Sequence, residues 1–199
     1  MLRQLRGFTL IELMVVVAIM GILLAIGIPS YQNWMLNLRI RNAAEAALEG
    51  LTVARNEAVR LNVNVRFQLV SALDSSCTFS ATSTSWVVSR DDPSLLCNQD
   101  PSSTVSPRIV QKRSAGEGSN SVVVTTLPAG ATTVTFNGLG RVVANSDGSA
   151  SLSQISVDLP TSLMSSAASR DLRLTVSNPG GQIRMCDPNI TSTTDPRRC

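Results

Sequence analysis

Residues 8–28 are almost all apolar or small, and Glu12 is the only charge among them. At about 1.5 Å per helical residue that run reaches roughly 30 Å, enough to cross the hydrocarbon core of a bilayer. Past Pro29 the pattern turns amphipathic. Ala43, Ala47, Leu51, Ala54, Ala58 and Leu61 recur at spacings of three and four, one apolar stripe of a helix. Arg41, Glu45, Glu49, Arg55, Glu57 and Arg60 lie off the stripe as a solvated face. These spacings predict one helix over residues 8–61, roughly 80 Å long. Its first half, residues 8–29, lies in a membrane; its second, residues 30–61, is the spine of a head, with alanines small enough for a sheet to pack close. Pro29 is expected to kink or locally open the helix, with Gly21 and Gly27 softening the turns before it.

From Asn62 the period drops to two. Residues 63–69 alternate so that valine, phenylalanine and leucine face a core. Shorter strands are predicted over 86–88 and 108–111, separated by a Ser-, Asp- and Pro-rich loop, then over 121–125 and 131–136. Asn137 and Gly138 supply a turn, and 141–143 reads as the returning strand of a hairpin. Residues 152–159 are assigned to an edge strand. Residues 171–176 and 182–185 flank an Asn-Pro-Gly-Gly turn as another hairpin. A single helix followed by short strands and tight turns is α+β, with one antiparallel sheet laid on the helix. The head is residues 62–199, ending in a turn-rich tail.

Charge and cysteines refine this picture. Seventeen basic against 14 acidic residues give +3, and Lys112 is the only lysine. A balance this close to neutral argues against a surface that coats nucleic acid. Arg3 and Arg6 precede the apolar run, and basic residues flanking a span tend to stay cytoplasmic, so the rest of the chain points outward. A cleaved secretory signal is disfavoured, because no Ala-x-Ala pattern follows the run. Cys77, Cys97, Cys186 and Cys199 are an even set without histidine or a Cys-x-x-Cys, which argues for disulfides over zinc. Three pairings are open. The local ones, Cys77–Cys97 and Cys186–Cys199, are favoured, each closing a loop worth about 3 kcal/mol in the chain-entropy model.

Glu12 asks for a reason. A carboxylate in a bilayer costs about 2.5–3.5 kcal/mol on insertion scales, so it normally has a partner. The alternative is a carboxylate at the helix N-terminus, favoured by the dipole and reaching interfacial water.

Gly7-Phe8-Thr9-Leu10-Ile11-Glu12 resembles the processing motif of type IV pilins and pseudopilins. The resemblance implies a leader of residues 1–7, cleavage by a prepilin peptidase between Gly7 and Phe8, and methylation of the new N-terminal Phe8. It also implies that Glu12 pairs with the freed amine of a neighbouring subunit during assembly. The head resembles the GspH/FimT (FimT/FimU) branch of minor pilins in three stretches: Ala54-Arg55-Asn56-Glu57-Ala58, residues 135–141 (TFNGLGR) and residues 180–188 (GGQIRMCDP). That likeness implies a minor pilin of the type IV pilus, placed at or near the tip and priming assembly. It implies an inner-membrane, single-pass protein with a periplasmic head that later joins a surface pilus of a Gram-negative bacterium. Its partners would be other minor and major pilins, the prepilin peptidase and the inner-membrane assembly machinery.

Two alternatives stand beside it. Some GspH/FimT-type proteins bind DNA for natural transformation through Gly-Arg-x-Arg. Here Gly181, Gln182, Ile183 and Arg184 match with one arginine missing, and Arg184, Arg197, Arg198 and Arg173 are the candidate DNA contacts. A type II secretion minor pseudopilin would share stem and head. With no histidine, no nucleophile elbow and no phosphate-binding glycine loop, the chain reads as a non-enzyme with no cofactor and no metal. Residues 71–118 form a long loop whose ligand is open.

Overall fold

The computed structural model describes residues 9–119 and 121–199. The chain divides into two compact units, one ending at Leu36 and one running from Asn37 to Cys199. A single helix, α1 (Leu10–Leu61), begins in the first and ends in the second.

In the first unit Thr9 opens the helix as its N-cap. Its hydroxyl accepts the Glu12 amide at 3.3 Å and its carbonyl accepts the Leu13 amide at 3.2 Å. The large apolar side chains described here, from Leu10 to Met35, are exposed. The helix is long and apolar enough to cross a membrane. It passes through Pro29 as uninterrupted helix. The weak point expected there is therefore a missing amide within a continuous helix, since proline has no N–H to offer the preceding turn.

In the second unit α1 buries Ile40, Ala43, Ala44, Ala47, Leu51, Ala54 and Ala58, while Arg41, Glu45 and Glu49 stay in solvent. Gly50 also sits on the buried side. A Cβ there would come within 2.7 Å of the Phe67 ring and 2.9 Å of Trp86, so a missing side chain sets how closely helix and sheet approach. The helix ends in a Schellman motif. The Val63 amide bonds the Ala58 carbonyl at 3.2 Å, the Asn62 amide bonds the Val59 carbonyl at 3.3 Å, and Asn62 takes the left-handed conformation.

Nine strands follow, β1 (Val65–Leu69), β2 (Trp86–Ser89), β3 (Ile109–Arg113), β4 (Val123–Leu127), β5 (Thr133–Phe136), β6 (Val142–Val143), β7 (Gln154–Asp158), β8 (Leu172–Val176) and β9 (Ile183–Cys186). All named pairings are antiparallel. They form two sheets rather than the one expected, in the orders β3-β2-β1-β5-β6 and β4-β7-β8-β9. The residues assigned to an edge strand form β7, which lies inside the second sheet with β4 at its edge. Ile155 and Val157 alternate inward, but alternation reports a face and not a neighbour.

The first sheet gathers its largest buried side chains on one face. Register puts Val65, Phe67, Leu69, Trp86, Val88, Val134 and Phe136 on one face. This is the helix side, where Gly50 meets Phe67 and Trp86 and Gln111 of β3 donates to Glu49 at 2.8 Å. The opposite face carries Gln68, Ser89, Thr133 and Thr135, all buried and polar. Ser89 donates to Gln68 at 3.0 Å, and Thr135 donates to Asn145, whose amide reaches the Thr133 and Ser149 carbonyls. Burial of such groups is tolerable because they are paired.

Candidate functional site

Four places carry the chemistry-bearing residues, beginning at the head of α1. Gly7 and Phe8 lie outside the described residues, as does the leader 1–7. Glu12 stands in the first turn of α1, the third residue after the Thr9 cap, with its side chain exposed. Among the described residues no cation lies within ion-pair distance of it. A carboxylate in a first turn faces the positive end of the helix dipole. It is held in a favourable local field and remains open to a partner from outside the chain.

The second place is where the three head stretches meet. Arg55 of α1 donates through Nε to the Gly140 carbonyl at 3.2 Å. Gly138, in the turn between β5 and β6, lies against Asn62 at the C-cap of α1. Gly181, at φ +70°, lies against the Gly140 carbonyl with no room for a side chain, and the Val142 amide bonds the Pro179 carbonyl at 3.0 Å. The end of the helix, the β5–β6 turn and the β8–β9 turn thus form one junction that ties the two sheets together. These motifs build a fold; their glycines are close-approach positions and not a cofactor loop. Leu139 remains exposed at the turn tip.

The third is the excursion between β1 and β3. Cys77 is joined to Cys97, with Cα atoms 6.1 Å apart, and both are buried with Val70, Val87 and Ile109 in a small core that Leu73 and Phe79 adjoin. Much of the 71–107 stretch is therefore a second layer packed on the head. Lys112 on β3 holds it from beneath, its ammonium donating to the carbonyls of Cys97, Asn98 and Gln99 at 3.0, 3.0 and 2.8 Å. Arg108 closes the base of the loop with a two-pronged grip on Asp91, which holds that carboxyl below its ordinary range. Nothing in the spacing of a lone lysine signals the carbonyl cradle.

The fourth is the C-terminal tail with the proposed DNA contacts. Cys186 is joined to Cys199. Arg184 donates through Nη2 to the Pro196 carbonyl at 2.9 Å and to the Arg198 carbonyl at 2.6 Å, so its guanidinium clamps the tail against β9. Arg197 is paired with Asp195 at 2.8 Å, and that contact lowers the Asp195 pKa to about 2. Arg173 shares the face of Arg184, and its Nε is buried without a hydrogen-bond partner. The structure thus gathers Arg184, Arg197 and Arg198 at one end of the head but engages two of the three. Arg198 is exposed.

Among the described residues, no group of three or more acidic, cysteine or histidine side chains is arranged to hold a metal ion.

Comparison with known proteins adds the following. A family model described as type II transport protein GspH matches residues 43–189, and one described as a prokaryotic N-terminal methylation motif matches residues 2–28. The type IV major fimbrial protein FimA of Dichelobacter nodosus is 44% identical over 61 residues, 31% of this chain and 34% of that protein. Prepilin peptidase-dependent protein D of Escherichia coli K12 is 73% identical over 30 residues, 15% of this chain and 20% of that protein. The chain thus spans about a third or less of the length of these relatives. A crystal structure of the type IV minor pilin FimU of Pseudomonas aeruginosa aligns with a TM-score of 0.44 at 15% identity, over 77% of this chain and 95% of that one.

Proposed function

Since this chain belongs to the GspH family of pilin-like proteins, as its match over residues 43–189 establishes, we propose that it is a minor pilin. In this reading a prepilin peptidase cuts between Gly7 and Phe8 and Phe8 is then methylated. Residues 8–29 hold the protein in the inner membrane with the head in the periplasm. Assembly machinery then moves the helix from lipid into a filament, at or near its tip, where the subunit primes growth with other minor and major pilins.

The observation that carries this is the contrast within α1. Its first half presents large apolar side chains all round that no other described residue covers, and Glu12 is the one charge in its first turn. A helix apolar on every side needs lipid or other apolar helices around it. A first-turn carboxylate moved into such surroundings needs a cation, and the Phe8 amine of a neighbour would supply one.

Glu12→Leu tests the reading. The variant should still insert, because it is more apolar, yet should be strongly depleted from sheared filaments relative to the membrane fraction. Wild-type levels in filaments would remove the pairing role. The description of the matched family favours a second reading, a minor subunit of a type II secretion filament. Deleting the gene and scoring pilus number against protein secretion separates the two.

A further inference from the structure

A strand at a sheet edge carries backbone N–H and C=O groups that its own sheet leaves unpaired, and the two sheets of the head have four such edges. Three are covered. The Ile109 carbonyl of β3 accepts the Ser102 amide at 2.9 Å, and the Val142 amide of β6 bonds the Pro179 carbonyl at 3.0 Å. Beyond β9 the Asp187 amide bonds the Arg197 carbonyl at 2.7 Å, and Arg184 clamps the tail in place. The fourth edge is β4. Its one neighbour among the elements is β7, and among the described residues no hydrogen bond reaches its outer side. Charge does not guard it either, since residues 118–140 contain none. The Leu127 carbonyl accepts the Ser153 amide at 2.8 Å and so faces β7. Alternation turns the backbone groups of Thr125 and Val123 the same way and leaves those of Val124 and Thr126 facing out. The side chains of Val123, Thr125 and Leu127 are exposed on one face of the sheet, while Val124 is buried and Thr126 half-buried on the other.

We propose that β4 pairs antiparallel with β4 of a second copy of this chain, about a two-fold axis at Thr125. Val124 then lies opposite Thr126 of the copy and exchanges both backbone hydrogen bonds with it, and the symmetry repeats the exchange at the other end. Other centres fail. An axis at Val124 would call on the Val122 amide, which is spent on the Ser119 carbonyl at 3.3 Å. An axis at Thr126 would set Val124 against Pro128, which has no amide to give. A shift by one residue would bring outward groups against groups turned toward β7. On the exposed face the same axis places Thr125 against Thr125 and Val123 against Leu127, hydroxyl with hydroxyl and apolar with apolar. The occupant is a second copy because the strand, laid against its own reverse, matches every outward backbone group and every exposed side chain. The contact lies within the heads and does not depend on the minor-pilin reading.

The test uses the full-length protein in detergent micelles, oxidised with copper phenanthroline, with cross-linked peptides identified by mass spectrometry. Opposite residues that do not bond each other through the backbone stand about 4.5 Å apart at Cα, within disulfide reach. Thr125→Cys should therefore cross-link to itself, and a mixture of Val123→Cys and Leu127→Cys should give heterodimers. Val123→Cys alone, roughly 14 Å from its own copy, should stay monomeric. Ser156→Cys, opposite Thr125 on β7 and so three strands from its copy, should also stay monomeric. Adding Thr125→Lys to both members of the mixture sets like charges face to face and should abolish the heterodimers. An unaltered thermal transition for the Thr125→Lys chains shows that the fold is intact. Thr125→Cys that stays monomeric, Val123→Cys that couples to itself as readily as to Leu127→Cys, or heterodimers that survive Thr125→Lys would each overturn the assignment. So would Thr125→Cys that in the native membrane couples to a different pilin and never to a second copy. Because none of these readouts needs a filament, they fail or succeed independently of the Glu12→Leu result.

Discussion

The two halves of α1 share a backbone and differ in what they leave outside. In the first, Leu24 is 54% exposed and its neighbours are similarly open; in the second, Leu51 is 0% exposed. The residues differ to match. Large side chains surround the first half, whereas the second has alanines and Gly50 on one side and charges on the other. Small residues let the sheet come close, and the closeness buries Phe67 and Trp86. Large residues all round cannot be served by one sheet. Among the described residues, the second half is covered by its own chain and the first half is not.

Substitutions matched across the halves sharpen this contrast. The largest effect belongs to Leu51→Ala, which should destabilise the head by about 2–5 kcal/mol through lost transfer energy and a cavity. Leu24→Ala should leave head unfolding unchanged. Trp86 is fully buried and Trp34 exposed, so denaturant unfolding followed by tryptophan fluorescence in a Trp34→Phe background reads the head alone. Next comes Gly50→Ala, where the added methyl meets two rings and should cost about 1–3 kcal/mol. Gly21→Ala meets nothing within 4 Å and should strengthen its helix by about 0.5–1 kcal/mol. Equal effects at the two glycines would break the comparison.

The smallest effects are those of pH, and they fall on the head with opposite signs. Asp91 is held below its ordinary pKa by its hydrogen bonds to Arg108, so its contribution is present above the ordinary value and lost as pH falls through the lowered one. Asp158 is raised, first by the packing around its carboxyl and then by the adjoining Asp171, with Ser169 between them. Its contribution is complete below the ordinary carboxylate value and is lost as pH rises through the raised one. Asp91→Asn should therefore lower the thermal midpoint at neutral pH more than in acid. Asp158→Asn should remove a loss of stability on going from acid to neutral pH. Midpoints measured across that range check both signs.

Much of this was legible in the residues. A strand was expected at each of the nine positions, β1 because residues 63–69 alternate, and both hairpin turns lie where Asn-Gly and Asn-Pro-Gly-Gly stand. The helix stripe was legible for the same reason, except that Gly50 reads as a weak helix residue until the rings opposite it are known. The division into two sheets was hidden, since pairing is a non-local choice that alternation does not encode. So was the role of residues 71–85 and 90–107, on either side of β2. Their polar, Pro-containing composition resembles an exposed loop, yet Cys77, Cys97, Leu73 and Phe79 pack with the far face of the first sheet. The engagement of the tail arginines was hidden too. Charge pattern alone cannot distinguish a guanidinium facing solvent from one, like Arg184, spent on carbonyl oxygens of its own chain.

Photo-leucine incorporated throughout the protein, followed by irradiation of sheared filaments and mass-spectrometric mapping, tests the contrast within α1 most directly. Leu10, Leu13, Leu23 and Leu24 should form adducts with the helices of neighbouring subunits, and Leu51 only with residues of its own head. Adducts between subunits at Leu51, or none at the four stem leucines, would contradict it.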